Sequence, residues 1–181
     1  EKNGLIELSM DDTSGGGIAV GYALAGRRPM YIVRYQGFQW FNAAMIVNYA
    51  AKSKEMWSIP CPVFVRSIAM EGAIGPVASS SHHGMFARMP GIKVYAPMTP
   101  AEYLSVWECF MNHDDPVYVS EHRRSFSIDY EMPHIIQDKA DITLFPISAA
   151  RLNALEAVTA LEKEGILCNV VHLIRLTPFT P

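Results

Sequence analysis

The sequence is poor in cysteine and has no excess of basic residues, and both deficits narrow the possible classes of protein. Cys61, Cys109 and Cys168 lie far apart in a chain of 181 residues, in apolar or strand-like surroundings. An odd, dispersed set favours small reduced core residues over a disulfide framework or a zinc site, and it is typical of a cytoplasmic protein. The formal net charge of −3 leaves no basic surface for nucleic acid.

Long apolar runs and phosphate-binding fingerprints are also missing. No segment approaches the ~20 apolar residues of a membrane-spanning helix, and the first residues match neither a signal peptide nor a transit peptide. The glycines at 15–17 and the loop at 71–81 match neither GxGxxG nor GxxxxGK[ST]. We therefore expect no membrane span and no P-loop. The first residue is Glu1 rather than Met, which is compatible with a piece of a longer protein.

What the sequence does contain is an alternation of short apolar segments with segments of helical periodicity. The predicted strands are 29–33, 62–67, 92–97 and 116–120, and the predicted helices are 14–26, 38–57 and 99–112. Thr99, Pro100 and Glu102 form a capping-box pattern at the start of the last helix. Strands separated by helices predict an α/β fold, with a parallel sheet and helices on both faces.

The chain divides into two unequal parts. Residues 1–125 carry the alternation, and residues 126–139 are charged and lack a clear period, which is typical of a linker. Residues 140–181 form one predicted βαβ unit whose helix ends at Gly165. One such unit is too small a core for a complete domain, so we expect the second domain to be truncated.

The segment "SSSHHGMF" at 79–86 places two adjacent histidines on a Ser- and Gly-rich stretch without helix or strand pattern. Neighbouring residues on a regular element point to different sides, so packing alone rarely requires both. Imidazole suits a site that donates protons and neutralises negative charge near pH 7. A solvated loop pair is the alternative.

Three ordered segments resemble one known family: "ALAGRRP" at 23–29, "MPGIKVYAPMTPAEY" at 89–103 and "LTPF" at 176–179. Together with "PVYVSEHRR" at 116–124, they are similar to the β subunit of the thiamin-diphosphate-dependent 2-oxo acid dehydrogenase E1 component. The resemblance runs over nearly the whole chain. It implies a transketolase-type pyrimidine-binding domain over 1–125 and the opening of the transketolase C-terminal domain over 140–181.

The resemblance also implies roles for single residues. The family's catalytic glutamate falls on Asp12, one methylene shorter, which leaves a cofactor contact and a simple helix cap as alternatives. The family's ring-stacking positions fall on Tyr35, Phe38 and Phe41. For Phe41 the spacing favours core packing, because Phe41 continues a helical apolar stripe with Met45.

A family histidine that faces the substrate falls on His82, with His83 as the second candidate, although the loop before "MPGIKV" is shorter than usual. His122 and Arg123 follow a strand end, where surface charge is the expected role. His113, His134 and His172 are expected to be structural.

The chain lacks the "GDG" and following Asn that bind metal and diphosphate in this family. The resemblance therefore implies that Mg²⁺ is held by a partner, an E1 α-type subunit, and that no metal ligands lie in this chain. It further implies a lipoyl domain as acyl acceptor. We also expect β subunits to self-associate through the face bearing Phe38 and Trp40, since a monomer rarely exposes such apolar area.

Three functions follow as hypotheses. The first is an E1 β subunit that helps decarboxylate a 2-oxo acid on thiamin diphosphate. The second is a catalytically degenerate, structural subunit of the same fold. The third is a split transketolase acting on sugar phosphates, for which Arg66, Arg88, Arg123 and Arg124 are the available cations.

Overall fold

Four parallel strands and one antiparallel strand form the main sheet. The structure is a computed structural model, and it describes residues 4–9, 11, 13–70 and 74–179. The strands are β1 (Met30–Tyr35), β2 (Phe64–Ala69), β3 (Lys93–Tyr95), β4 (Val117–His122), β5 (Ile142–Leu144), β6 (Cys168–Val170) and β7 (Arg175–Thr177). The five-stranded sheet has the order β1-β2-β4-β3-β7, and only β7 runs antiparallel within it. The predicted strands are thus confirmed to within a few residues.

Helices cover both faces of this sheet. The helices are α1 (Ser14–Leu24), α2 (Ala43–Met45), α3 (Ala51–Trp57), α4 (Pro76–Ser79), α5 (His83–Ala87), α6 (Pro100–Asn112) and α7 (Ala150–Glu162). Successive strand residues enter opposite cores: Val65 and Tyr118 pack with α1 and α5, whereas Phe64 packs with Phe110 of α6. This alternation explains why the strands are apolar on both sides. The predicted α/β class is confirmed.

Residues 36–57 fold as helical turns of different pitch rather than as one α-helix. A 3-10 segment (Gln36–Phe41) precedes α2, and a π-helical turn (Ile46–Ala50) joins α2 to α3. Phe38 and Phe41 lie in the 3-10 segment, which has three residues per turn, so the buried side does not follow the 3.6-residue spacing from Phe38 to Met45. Phe41 is 58% exposed, so the expectation that it packs in the core was wrong.

The capping pattern before α6 is present, and it is tied to the second part of the chain. Glu102 accepts hydrogen bonds from the backbone N–H groups of Met98 (2.8 Å) and Thr99 (3.3 Å). Arg151 of α7, fully buried, donates to both carboxylate oxygens of Glu102 at 2.7 and 2.6 Å. The start of α6 is therefore held by a side chain from beyond residue 140.

The second part forms the predicted βαβ unit, in which β5 and β6 pair in parallel and α7 connects them. Strand β7 leaves this unit and pairs with β3, joining Val94 to Thr177 in the main sheet. Residues 126–139 are also anchored, because Glu131 accepts a hydrogen bond from the backbone of Ala101.

None of the helices in the described ranges is both long enough and apolar enough to cross a membrane. The three cysteines are free thiols: Cys61 and Cys168 are buried and Cys109 is partly buried. Burial raises the pKa of the Cys61 thiol to about 11. The prediction of reduced, structural cysteines agrees with this arrangement.

Candidate functional site

Polar side chains gather where β1, β2 and β4 end. Gln36 follows β1 directly, while Ser67 and Ser120 lie at paired positions of β2 and β4. Residues Ser80 to Ala87, including α5, pass over this edge. In open α/β sheets, ligands bind at the carboxyl ends of parallel strands, so this edge is the candidate site.

Gln36 is the fully buried centre of the cluster. Its side-chain amide donates to the hydroxyl of Ser120 at 2.7 Å and, more weakly, to the carbonyl of Ser67 at 3.4 Å. Its side-chain oxygen accepts the backbone N–H of His82 at 2.6 Å. One side chain thus links the end of β1 to β4 and to the segment Ser80 to Ala87, called the histidine loop below.

The loop that the sequence left without regular structure contains α4 and α5, and Phe86 fixes it. The ring of Phe86 stacks on Tyr118 of β4 with centroids 4.1 Å apart. This contact anchors α5 on the sheet and carries His82 and His83 with it.

The two histidines make different contacts. The ring of His82 meets the ring of Trp40 edge to face, with centroids 5.5 Å apart. The Nδ1 atom of His83 lies 3.3 Å from the hydroxyl oxygen of Ser120. Burial lowers the pKa of both imidazoles, and the charge of His82 lowers that of His83 further. Neutral imidazoles are therefore favoured on this loop.

The predicted stacking residues spread over two kinds of surroundings. Tyr35 is buried at the end of β1, with the guanidinium of Arg34 5.1 Å from its ring centre. Phe38 is half-buried in the 3-10 segment, while Trp40 and Phe41 are more than half exposed. The segment therefore presents aromatic surface next to His82.

Asp12 lies outside the described residues, so its role as acid or cap stays a prediction. Its neighbour Asp11 forms a local turn: its carboxylate accepts the hydroxyl (2.6 Å) and the backbone N–H (2.9 Å) of Thr13. These bonds lower the pKa of Asp11 to about 2. The turn before α1 is therefore held by Asp11.

Of the histidines outside the loop, His122 does not have the predicted surface role. His122 is buried, and its Nδ1 accepts the backbone N–H of Arg124 at 3.1 Å, so the expected surface role was wrong. Strand β4 extends to His122, two residues beyond the predicted strand end, so His122 lies within the sheet and pairs with Ala69. His172 is buried beside His134, in agreement with a structural role, and burial is the main cause that lowers its pKa to about 4.

Sequence reasoning missed Gln36, Ser67 and Ser120. Polar residues at the ends of two predicted strands were the available signal, since those ends meet in a parallel sheet. Within the described residues, no group of three or more His, Cys, Asp or Glu side chains is placed to hold a metal ion.

The fold and this edge define an α/β domain with a candidate ligand site at the carboxyl ends of its parallel strands. The sequence profile of the family described as "Transketolase, pyrimidine binding domain" matches residues 6–127, well over half of the chain. The chain belongs to this family.

Two curated relatives match along nearly the whole chain. The beta subunit of 2-oxoisovalerate dehydrogenase from Bacillus subtilis is 28% identical over 191 residues, covering 96% of this chain and 58% of the relative. The beta subunit of acetoin:2,6-dichlorophenolindophenol oxidoreductase from Cupriavidus necator is 30% identical over 191 residues, covering 96% and 56%. The chain therefore spans just over half the length of these relatives.

A solved structure, a split-gene transketolase in the form of an inactive beta4 tetramer, is similar in fold. It matches with a TM-score of 0.71 at 19% identity, over 92% of this chain and 56% of that chain. At this identity the likeness shows the fold: a mostly parallel sheet flanked by helices, of the transketolase type.

Proposed function

We propose that this chain is the beta-type subunit of a thiamin-diphosphate-dependent 2-oxo acid dehydrogenase and supplies the pyrimidine half of its cofactor site. One observation carries the proposal. Aromatic side chains and two histidines meet at the carboxyl edge of the sheet, in a chain whose relatives are named as beta subunits of such enzymes.

The residues at this edge fit an aminopyrimidine ring. Half-buried Phe38 offers flat apolar surface, on which a heteroaromatic ring stacks favourably, and Tyr35 lies buried at the adjoining end of β1. Gln39 follows Phe38 in the sequence, and its side chain is fully buried. Neither polar atom of this side chain has a hydrogen-bond partner among the described residues. A buried amide without partners has both a donor and an acceptor to offer to ring nitrogens and an amino group.

When bound, thiamin diphosphate supplies the carbanion chemistry of decarboxylation. In our proposal this chain's residues orient the ring and manage protons. Asp12 would hydrogen-bond the ring, and His82 would exchange protons with the reacting groups.

Partners complete the proposed enzyme. An alpha-type subunit would hold the diphosphate and Mg²⁺, since the sequence lacks the family's "GDG" and Asn element. A lipoyl domain would accept the acyl group, and a second copy of this chain would pack on the face bearing Phe38 and Trp40. The second domain over 140–181 and a cytoplasmic location belong to the same proposal.

Calorimetry tests this division of the site. The chain alone should show no measurable binding of thiamin diphosphate, while the complex with its alpha-type partner should bind it in a Mg²⁺-dependent manner. Tight, Mg²⁺-dependent binding by the isolated chain would contradict the proposal, and so would a complex that binds no cofactor.

A split transketolase is the second candidate, and the exposed arginines of the chain favour it, because they are available to bind a sugar phosphate. Sugar phosphates require free cations, but Arg66 forms a partly buried ion pair with Glu121. Arg88, Arg123 and Arg124 are exposed and make no ion pair with a carboxylate in the described part of the chain. Turnover of sugar phosphates without turnover of 2-oxo acids would favour this candidate, and turnover of neither would favour a structural subunit.

A further inference from the structure

The orientation of the Gln36 amide follows from its neighbours. The backbone N–H of His82 can only donate, so the atom 2.6 Å from it must be the oxygen of the amide. The carbonyl of Ser67 can only accept, so the atom facing it must be the nitrogen. Both constraints agree, and the amide nitrogen therefore donates to Ser120.

The hydroxyl of Ser120 is then left with one hydrogen to place. Ser120 is fully buried, and its oxygen already accepts from Gln36. The Nδ1 atom of His83 is the remaining partner of this hydroxyl in the described structure. A buried hydroxyl hydrogen without an acceptor is costly, so the hydroxyl donates to Nδ1.

We propose that Gln36 and Ser120 are positioning residues that hold His83 as the neutral tautomer with its hydrogen on Nε2. Nδ1 accepts from Ser120, so the ring's only hydrogen lies on the other nitrogen. The histidine loop thereby carries a fixed, uncharged N–H donor beside His82. The Nε2–H group of His83 can stabilise negative charge on a ligand by hydrogen bonding. Because His83 stays neutral, it does not compete with His82 as a source of protons.

The groups around His83 also favour its neutral form. Protonation of His83 would place a second hydrogen between Nδ1 and the Ser120 hydroxyl, which would then lose its acceptor. Burial, and secondly the neighbouring His82, lower the pKa of His83. Tyr118, a titratable residue that packs against α5 through Phe86, shares a hydrogen bond with the hydroxyl of Ser67, and burial raises its pKa.

Nitrogen NMR on the ¹⁵N-histidine-labelled chain tests the proposal, and one variant serves only to assign the His83 signals. Long-range proton–nitrogen correlation at neutral pH distinguishes a protonated from an unprotonated ring nitrogen, and loss of one signal set in His83→Gln assigns His83. We expect the hydrogen on Nε2 and a bare Nδ1. A hydrogen on Nδ1, or equal populations of both forms, would overturn the inference.

Variants test the two positioning residues. Ser120→Ala should lower the ratio of the Nε2–H to the Nδ1–H form about fivefold, the effect of one ordinary hydrogen bond. Ser120→Thr keeps the hydroxyl and should restore the ratio, and Gln36→Leu should lower it by less than Ser120→Ala. Ser67→Ala removes a buried hydroxyl from the paired position on β2 and should leave the ratio unchanged. An unchanged ratio in a folded Ser120→Ala chain would contradict the proposal.

The catalytic meaning of this arrangement rests on the proposed function, but the measurement does not. A chain that shows the Nε2–H form while its complex binds no thiamin diphosphate would refute the proposed function alone. A complex that binds the cofactor while His83 carries its hydrogen on Nδ1 would refute this inference alone.

Discussion

His82 and His83 are neighbours in sequence, but different contacts hold them. His82 is fixed by its backbone N–H and meets Trp40 with its ring, whereas His83 is fixed by the ring itself. Among the described residues the His82 ring has no hydrogen-bond partner, and such a ring can exchange protons with a ligand more readily than one tied to a buried serine. The geometry therefore favours His82 as the proton-transfer group.

Substitution of each histidine in the reconstituted complex tests this division. His82→Ala should lower acyl transfer to a lipoyl domain by about 10²–10⁴-fold, the range of a positioned proton-transfer group. His83→Ala should cost about tenfold, as expected for the loss of one hydrogen-bond donor. Single-turnover kinetics of lipoyl acylation gives both values, and equal, small losses at both positions would return the pair to a solvated-loop role.

For single residues, the sequence pointed to the two histidines as candidate site residues but not to the side chains that hold them in place. Two imidazoles on a Ser- and Gly-rich loop stand out by composition. Gln36 and Ser120 do not, because a single buried polar residue at a strand end has no periodicity, and its partner lies 84 positions away in the chain.

Among the elements, the strands followed the sequence closely and the segment at 36–57 did not. The strands are short, apolar and bounded by turns, so local pattern suffices to find them. The π turn at Ile46–Ala50 depends on how Ile46 and Val47 fit against α1, and an apolar stripe of 3.6 spacing cannot reveal it. Phe41 was misplaced for a related reason: it lies in the 3-10 segment Gln36–Phe41, whose three residues per turn also depart from that spacing.

Among the described glycines, Gly91 leaves the least room for a Cβ atom. It has φ +89°, and a Cβ atom there would lie 1.8 Å from the carbonyl oxygen of Ala51 in α3. Gly91→Ala should therefore lower the free energy of unfolding by about 3 kcal/mol or more, through clash and backbone strain together. Urea unfolding followed by circular dichroism measures it.

Gly21 provides the matched control within α1. A Cβ atom there meets nothing within 4 Å, so Gly21→Ala should raise the free energy of unfolding by about 0.5–1 kcal/mol. Similar stabilities for the two variants would show that the turn at Gly91 relaxes away from α3.

For the whole molecule, the ion pair between Glu102 and Arg151 joins the two parts of the chain. Burial by itself raises the pKa of Glu102, but the bonds from Arg151 and from the backbone outweigh it, so the pKa lies below its usual value of 4.5. The stability from this pair is fully present above pH 4.5 and is lost as pH falls through the lowered pKa.

Arg151→Met should destabilise the protein by about 3–5 kcal/mol, because it leaves a buried carboxylate without its cation. Lys54→Met, which breaks an exposed pair with Asp115, should cost less than about 1 kcal/mol. Thermal unfolding at pH 7 and pH 4 compares the variants. A loss in Arg151→Met no larger than in Lys54→Met would contradict a structural role for the buried pair.

Self-association is the second expectation at this scale. Trp40 and Phe41 leave more than half of their surface exposed beside the candidate site, and a monomer rarely exposes such an area. Sedimentation velocity of the chain should therefore show a dimer or larger species, which Trp40→Asp should dissociate. Trp57→Asp, which changes an equally exposed tryptophan at the end of α3, should have no effect. A monomeric parent chain would contradict the expectation.

The pairing of β7 with β3 has a consequence for synthesis on the ribosome. Val94 and Thr177 are about 80 residues apart, so the outer edge of β3 has no partner strand until the last of these residues has emerged. During that interval the four parallel strands can already pair, while the open edge of β3 offers unpaired backbone groups to other nascent chains. The growing polypeptide is therefore most prone to aggregate after β4 has been made and before residues 175–177 arrive.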